Sequence, residues 1–61
     1  MSTQEISQSK IEDAIEQYGG EVVSRALDFV HMSDPDGAYT VLEDHGMFEE
    51  AEVVAALFFE N

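Results

Sequence analysis

The sequence predicts an all-α fold, a compact four-helix mini-domain spanning residues 1–61 as one domain. Three observations predict it. Apolar side chains recur at the 3.6-residue helical period, and glycine and proline divide the chain into four pieces of helical length. The third is composition: 44% of the 61 residues are hydrophobic, with four Phe and two Tyr, whereas acidic disordered segments lack such content. A domain this small buries only about 60% of the surface its unfolded chain exposes. The chain has no cysteine, so no disulfide can staple it. Dimerisation is the remaining support, and the expected state is a monomer or a homodimer.

Ile11, Ala14, Ile15 and Tyr18 fall at i, i+3, i+4 and i+7 and mark the first helix. Two capping boxes precede or open it, Ser2 with Glu5 and Ser9 with Glu12, so it starts at Ser9 or runs from Thr3 through both. Gly19-Gly20 ends it, because glycine takes the C-cap conformation without steric cost. The second helix runs from about Glu21 to His31 or Met32. Val22, Val23, Ala26, Leu27, Phe29 and Val30 cover more than half its circumference, which predicts the central, most buried element. Glu21 in its first turn and His31 in its last both suit the helix dipole.

Ser33-Asp34-Pro35-Asp36-Gly37 is the strongest boundary. Asp34 is placed to N-cap a third helix whose first position is Pro35, where the missing N–H is not needed. About ten residues follow, with Ala38, Val41 and Leu42 inward, and His45-Gly46 closes them. The last helix is expected from Met47 to Glu60. Phe48, Ala51, Val54, Ala55 and Phe58 lie on one side, Val53 and Leu57 widen that stripe, and Phe59 falls on the exposed side. The competing reading makes strands of Tyr39 to Leu42 and Val53 to Phe59, both rich in strand formers.

Charge bounds the function. Fourteen acidic and two basic residues give a net charge of −12, and fields of that strength attract cationic partners. Nucleic acid is excluded as a direct partner, since its phosphates demand cations. An anionic leaflet repels such a surface, and the apolar run Val53 to Phe59 is far short of the ~20 residues that span a bilayer. The start, Met1-Ser2-Thr3-Gln4-Glu5, has neither a basic nor an apolar targeting region, so a cytoplasmic protein is expected.

Chemistry at a site finds little support, and no enzyme activity, metal or cofactor is expected. Asp34, Asp36, Gly37 and Glu43 match positions 3, 5, 6 and 12 of a calcium loop, but position 1 falls on Met32, which offers no hard oxygen. The simpler reading of that segment is a helix start. His31 and His45 stand 14 residues apart without a metal-binding motif, each placed to meet terminal carbonyls. Carboxylate pairs abound, yet a hydrolase needs two in different environments within a cleft. A domain this small leaves little room for a pocket of several hundred Å³.

The acidic faces are the informative feature. Glu12 and Glu16 are one turn apart, about 6 Å, with Asp13 beside them and Glu5 before. Glu43 and Asp44, then Glu49, Glu50 and Glu52, form the counterpart near the last helix. The spacing is on the scale of successive phosphates along one strand, so a rigid bundle of this kind offers a DNA-binding cleft the charges it expects. Only Lys10 and Arg25 are available to relieve like-charge repulsion. The alternative is acidity that serves hydration or salt adaptation.

In size, acidity and helix count, and through those same carboxylates, the chain resembles the small acidic anti-CRISPR proteins with which phages block bacterial defence by imitating DNA. The resemblance covers the whole chain in character and rests on no specific motif. It implies a non-enzymatic inhibitor in the host cytoplasm, occupying the DNA path of a CRISPR effector complex or another basic DNA-binding protein. The competing class is a small helical interaction or regulatory module that binds through apolar residues, with Met47, Phe48, Phe58 and Phe59 as anchors.

Overall fold

Local chemistry at three junctions sets the architecture, which a computed structural model describes for residues 6–59. Four helices follow in order: α1 (Gln8–Tyr18), α2 (Gly20–Met32), α3 (Pro35–Asp44) and α4 (Phe48–Val54). A π-helical turn, Ala55–Phe59, continues α4. The fold is all-α. Among the described residues there is no strand, and both segments of the β reading lie in helices.

The first helix starts at neither expected box. Ser7 is the N-cap and its hydroxyl accepts a hydrogen bond from the Lys10 N–H at 3.4 Å. Ser9 lies inside the helix, and Ser2 and Glu5 are outside the described residues. The cause is apolar: Ile6 before the cap and Ile11 hold the two positions of a hydrophobic staple, and both pack against the core. A start at Ser9 would forfeit that pairing.

Gly19 then serves two helices at once. Its N–H donates to the Ile15 carbonyl at 2.8 Å, closing α1, while its own carbonyl accepts from Val23 at 3.1 Å, opening α2. Its φ of 109° is open to glycine and strained for other residues. Asp34 N-caps α3 through its backbone, with Pro35 in the first turn as expected. At the other end, Gly46 N–H donates to Glu43 and Met47 N–H to Leu42, at 3.1 and 2.8 Å. With Gly46 at φ 75°, these are the paired bonds of a Schellman cap. His45 Nδ1 adds a 2.9 Å hydrogen bond to the Val41 carbonyl, the terminal contact expected of it.

The core sits around α4 rather than α2. Ala51, Val53, Val54 and Leu57 are buried with Val23, Ala26, Ala38 and Leu42, and α4 packs against both α2 and α3 as well as α1. Val53 and Leu57 are thus central rather than marginal. Two expected core positions face outward instead: Phe48, in the first turn of α4, is 62% exposed and Ile15 is 42% exposed. Phe59 is 44% exposed, on the side expected, and its ring meets Tyr39 edge-on at 5.8 Å.

Candidate acidic interface

Helix α1 turns Ile11, Ala14 and Tyr18 inward, which leaves Glu12, Asp13 and Glu16 on its outer side. All three are exposed. Their placement runs against the helix dipole: Lys10 occupies the first turn, and Glu16 the last, which holds no basic residue. Lys10 and Asp13 line one shallow groove with Gln17, Tyr18, Ala56 and Leu57, so Asp13 does have a cation on its own side.

On α3, Glu43 and Asp44 are exposed in the last turn, again without a basic residue to offset the carbonyl end. On α4, Glu49 and Glu52 are exposed, one turn apart. Glu50 is not part of this surface. It is 6% exposed, and its Oε2 accepts from Arg25 Nε at 3.0 Å and pairs with Arg25 Nη2 at 2.9 Å. The expectation of three uncompensated carboxylates on this helix is therefore corrected. Successive helical residues point about 100° apart, so Glu50 falls in register with Val53, Val54 and Leu57 on the core side. Glu5, the remaining expected member, lies outside the described residues.

Tyr39 joins the acidic side chains of α3 and α4. Its phenol pKa is raised above the ordinary 10.0, first by a hydrogen bond with Glu43, then by the charge of Glu43, by partial desolvation, and by the charge of Glu52. Glu43 is one turn along α3 from Tyr39, whereas Glu52 arrives from the neighbouring helix. Sequence reasoning missed this tyrosine, although the i, i+4 spacing of Tyr39 and Glu43 was a usable signal. Glu52 also lines a groove with Gln17 and Tyr18 at the end of α1, and those two residues border Asp13 in the next groove. Carboxylates from three helices thus form one band: Asp13 on α1, Glu52 on α4 and Glu43 on α3. Glu12 and Glu16 are exposed on the same helix as Asp13, Asp44 on that of Glu43, and Glu49 on that of Glu52.

Other chemistry finds no comparable arrangement. Residues 35–44 are helical, and that backbone cannot wrap a calcium ion as a loop does, so the helix-start reading of Asp34-Pro35 stands. Among the described residues, no three His, Cys, Asp or Glu side chains gather into a possible metal site. No helix among them is long and apolar enough to cross a membrane. The described surface carries open grooves, one of about 470 Å³. Comparison with protein families, with curated proteins and with solved structures finds no match for this chain.

Proposed function

We propose that this protein is a non-enzymatic inhibitor whose acidic band imitates DNA and blocks the DNA-binding site of a bacterial defence complex, in the manner of an anti-CRISPR protein. It acts in the host cytoplasm. The observation that carries the reading is the band of Asp13, Glu52 and Glu43 across three helices, with Glu12 and Glu16 exposed one turn apart on the helix of Asp13. A band held by packed helices keeps its carboxylates at fixed spacing, which a Lys- and Arg-lined channel built for phosphates recognises. Position adds support. Glu16, Glu43 and Asp44 sit where helix dipoles disfavour them by about 0.3–1 kcal/mol each, a cost that folding alone does not explain.

A second reading has its own observation: Phe48 is 62% exposed beside Glu49 and Glu52, which suits an apolar anchor of an interaction module. Salt separates the two, since carboxylate contacts weaken as salt rises and aromatic contacts do not. The experiment begins with capture of a target from bacterial lysate and elution on a salt gradient. DNA displacement from that target is then measured for two neutralised variants, Glu12→Gln/Asp13→Asn/Glu16→Gln and Glu43→Gln/Glu49→Gln/Glu52→Gln, beside Phe48→Ala. Each neutralised variant should inhibit at least tenfold less well at physiological salt, with Phe48→Ala little changed. Full inhibition by both neutralised variants would end the DNA-imitation reading, and selective loss in Phe48→Ala would favour the interaction module.

A further inference from the structure

A groove of about 470 Å³ opens on a part of the surface that the acidic band does not use. Its walls are Ile6 and Ile11 from the staple, Leu27 and Val30 of α2, then Pro35 and Phe58, with His31 at the rim. Pro35 and Phe58 also wall a second depression that ends on Asp34, Asp36 and Phe59. The two make one trough, apolar at one end and acidic at the other. Asp34 makes no side-chain capping hydrogen bond, so its carboxylate is available to a partner.

We infer that this trough receives a cationic amphipathic helix of a partner protein. The occupant must set apolar groups against Ile11, Leu27 and Val30 and cations against Asp34 and Asp36. Charge decides between candidates. A second copy of this chain brings another −12 and only two basic residues, Lys10 and Arg25, of which Arg25 already pairs with Glu50. A fatty acid or other anionic amphiphile meets the same repulsion from Asp34 and Asp36. Among peptides, strand addition needs a sheet edge, and the described residues contain no strand. An extended proline-rich segment seeks aromatic walls, whereas these are mostly aliphatic. Helix-in-groove recognition fits: apolar side chains at i, i+3, i+4 and i+7 enter the groove, and lysines on the flank reach the acidic end. The inference does not depend on DNA imitation, because the trough and the band share no carboxylate.

The test uses the full chain and three labelled 18-residue peptides: one with leucines at helical spacing and lysines elsewhere, a scramble of it, and a version with glutamate for lysine. Fluorescence anisotropy should show the first binding at least tenfold more tightly than either control. Asp34→Asn/Asp36→Asn should weaken it at least threefold at low salt, with an unchanged helical spectrum. Methyl resonances of Ile6, Ile11, Leu27 and Val30 should shift on binding, while those of Leu42 and Val53 in the core stay in place. Equal binding of the scramble means that charge alone acts, and equal binding of the glutamate peptide means that apolar contact alone acts. Either result overturns the inference, as do unmoved groove methyls. Sedimentation of the unliganded chain as a dimer with those methyls at the interface would give the trough to a second copy. Peptide binding that appears only after residues 1–5 are removed would give it to the chain's own start.

Discussion

Helices α1 and α4 each carry three carboxylates within five residues, and the two sets answer to different demands. On α1, Glu12, Asp13 and Glu16 all stand in solvent, and Lys10 and Glu16 occupy the ends that the dipole disfavours. On α4, Glu49 and Glu50 fall in the favourable first turn, and Glu50 turns into the core to hold Arg25 of α2. The difference separates acidity the fold uses from acidity it tolerates. Glu50 ties two helices together and is hidden from any partner. The α1 set contributes nothing to packing and costs a little, so a demand outside the fold accounts for it better than folding does.

The largest expected effect breaks the Arg25–Glu50 pair. Arg25→Ala leaves the Glu50 carboxylate buried without its cation, and breaking such pairs from one side costs about 3–5 kcal/mol when both partners are buried. The Arg25 side chain is 48% exposed, so water recovers part of that and about 2–3 kcal/mol is expected. A domain this small has about 3–9 kcal/mol in all, so the melting temperature should fall by about 10–20 °C. Glu50→Leu removes the buried charge and leaves a guanidinium that can reach water, so it should come out close to neutral. Thermal melts of both variants decide the matter. If Arg25→Ala melts with the wild type, Glu50 is not the fold's own carboxylate and the contrast between the helices collapses.

Helix ends were legible in the sequence wherever a residue acts alone. Gly19, Gly46 and Asp34-Pro35 restrict the backbone by themselves, so the breaks between α1, α2, α3 and α4 follow from local chemistry. The start of α1 was not legible, because several serines offer a cap and the choice falls to the packing of Ile6 and Ile11. Nor was the π turn, since a bond pattern widened by one residue has no local signal among Ala55–Phe59. The same division holds at the acidic surface. Seven of the nine expected carboxylates are exposed, because a helix turned inward by its apolar residues must turn the others outward. Glu50 looked like its neighbours, and only its register with Val53, Val54 and Leu57 and its distant partner Arg25 set it apart. Tyr39 gains its acidic company from two helices, and half of that company is non-local.

A smaller effect sharpens the comparison through stability. Glu12→Gln/Asp13→Asn/Glu16→Gln removes like charges at i, i+4 and relieves the disfavoured end of α1. Stability at low salt should therefore rise by about 0.5–1 kcal/mol in urea titrations, with the gain fading as salt screens the charges. Glu49→Gln/Glu52→Gln should bring no such gain, because Glu49 already complements the N-terminus of α4. Equal gains on both helices would show that repulsion is spread evenly over the molecule, and the distinction between used and tolerated acidity would lapse.

The smallest effect is read from Tyr39, which reports the exposed carboxylates of α3 and α4 without a change in fold. Its phenol is held above the ordinary value of 10.0, by hydrogen bonding to Glu43 before the charges of Glu43 and Glu52. The raised pKa means that the folded chain keeps this proton longer than the unfolded chain. Its contribution to stability is therefore complete below pH 10 and is lost as pH rises through the folded-state value. Ultraviolet titration of phenolate absorbance, with Tyr39→Phe to identify the component, should show Tyr39 ionising above the ordinary tyrosine range. Glu43→Gln should lower that midpoint more than Glu52→Gln, because Glu43 supplies both the hydrogen bond and the larger charge. Glu12→Gln on α1 should leave it where it is, since Glu12 is not among the groups that act on this phenol. A midpoint indifferent to Glu52 but sensitive to Glu12 would mean that Tyr39 faces α1, and the acidic band would have to be redrawn without its link between α3 and α4.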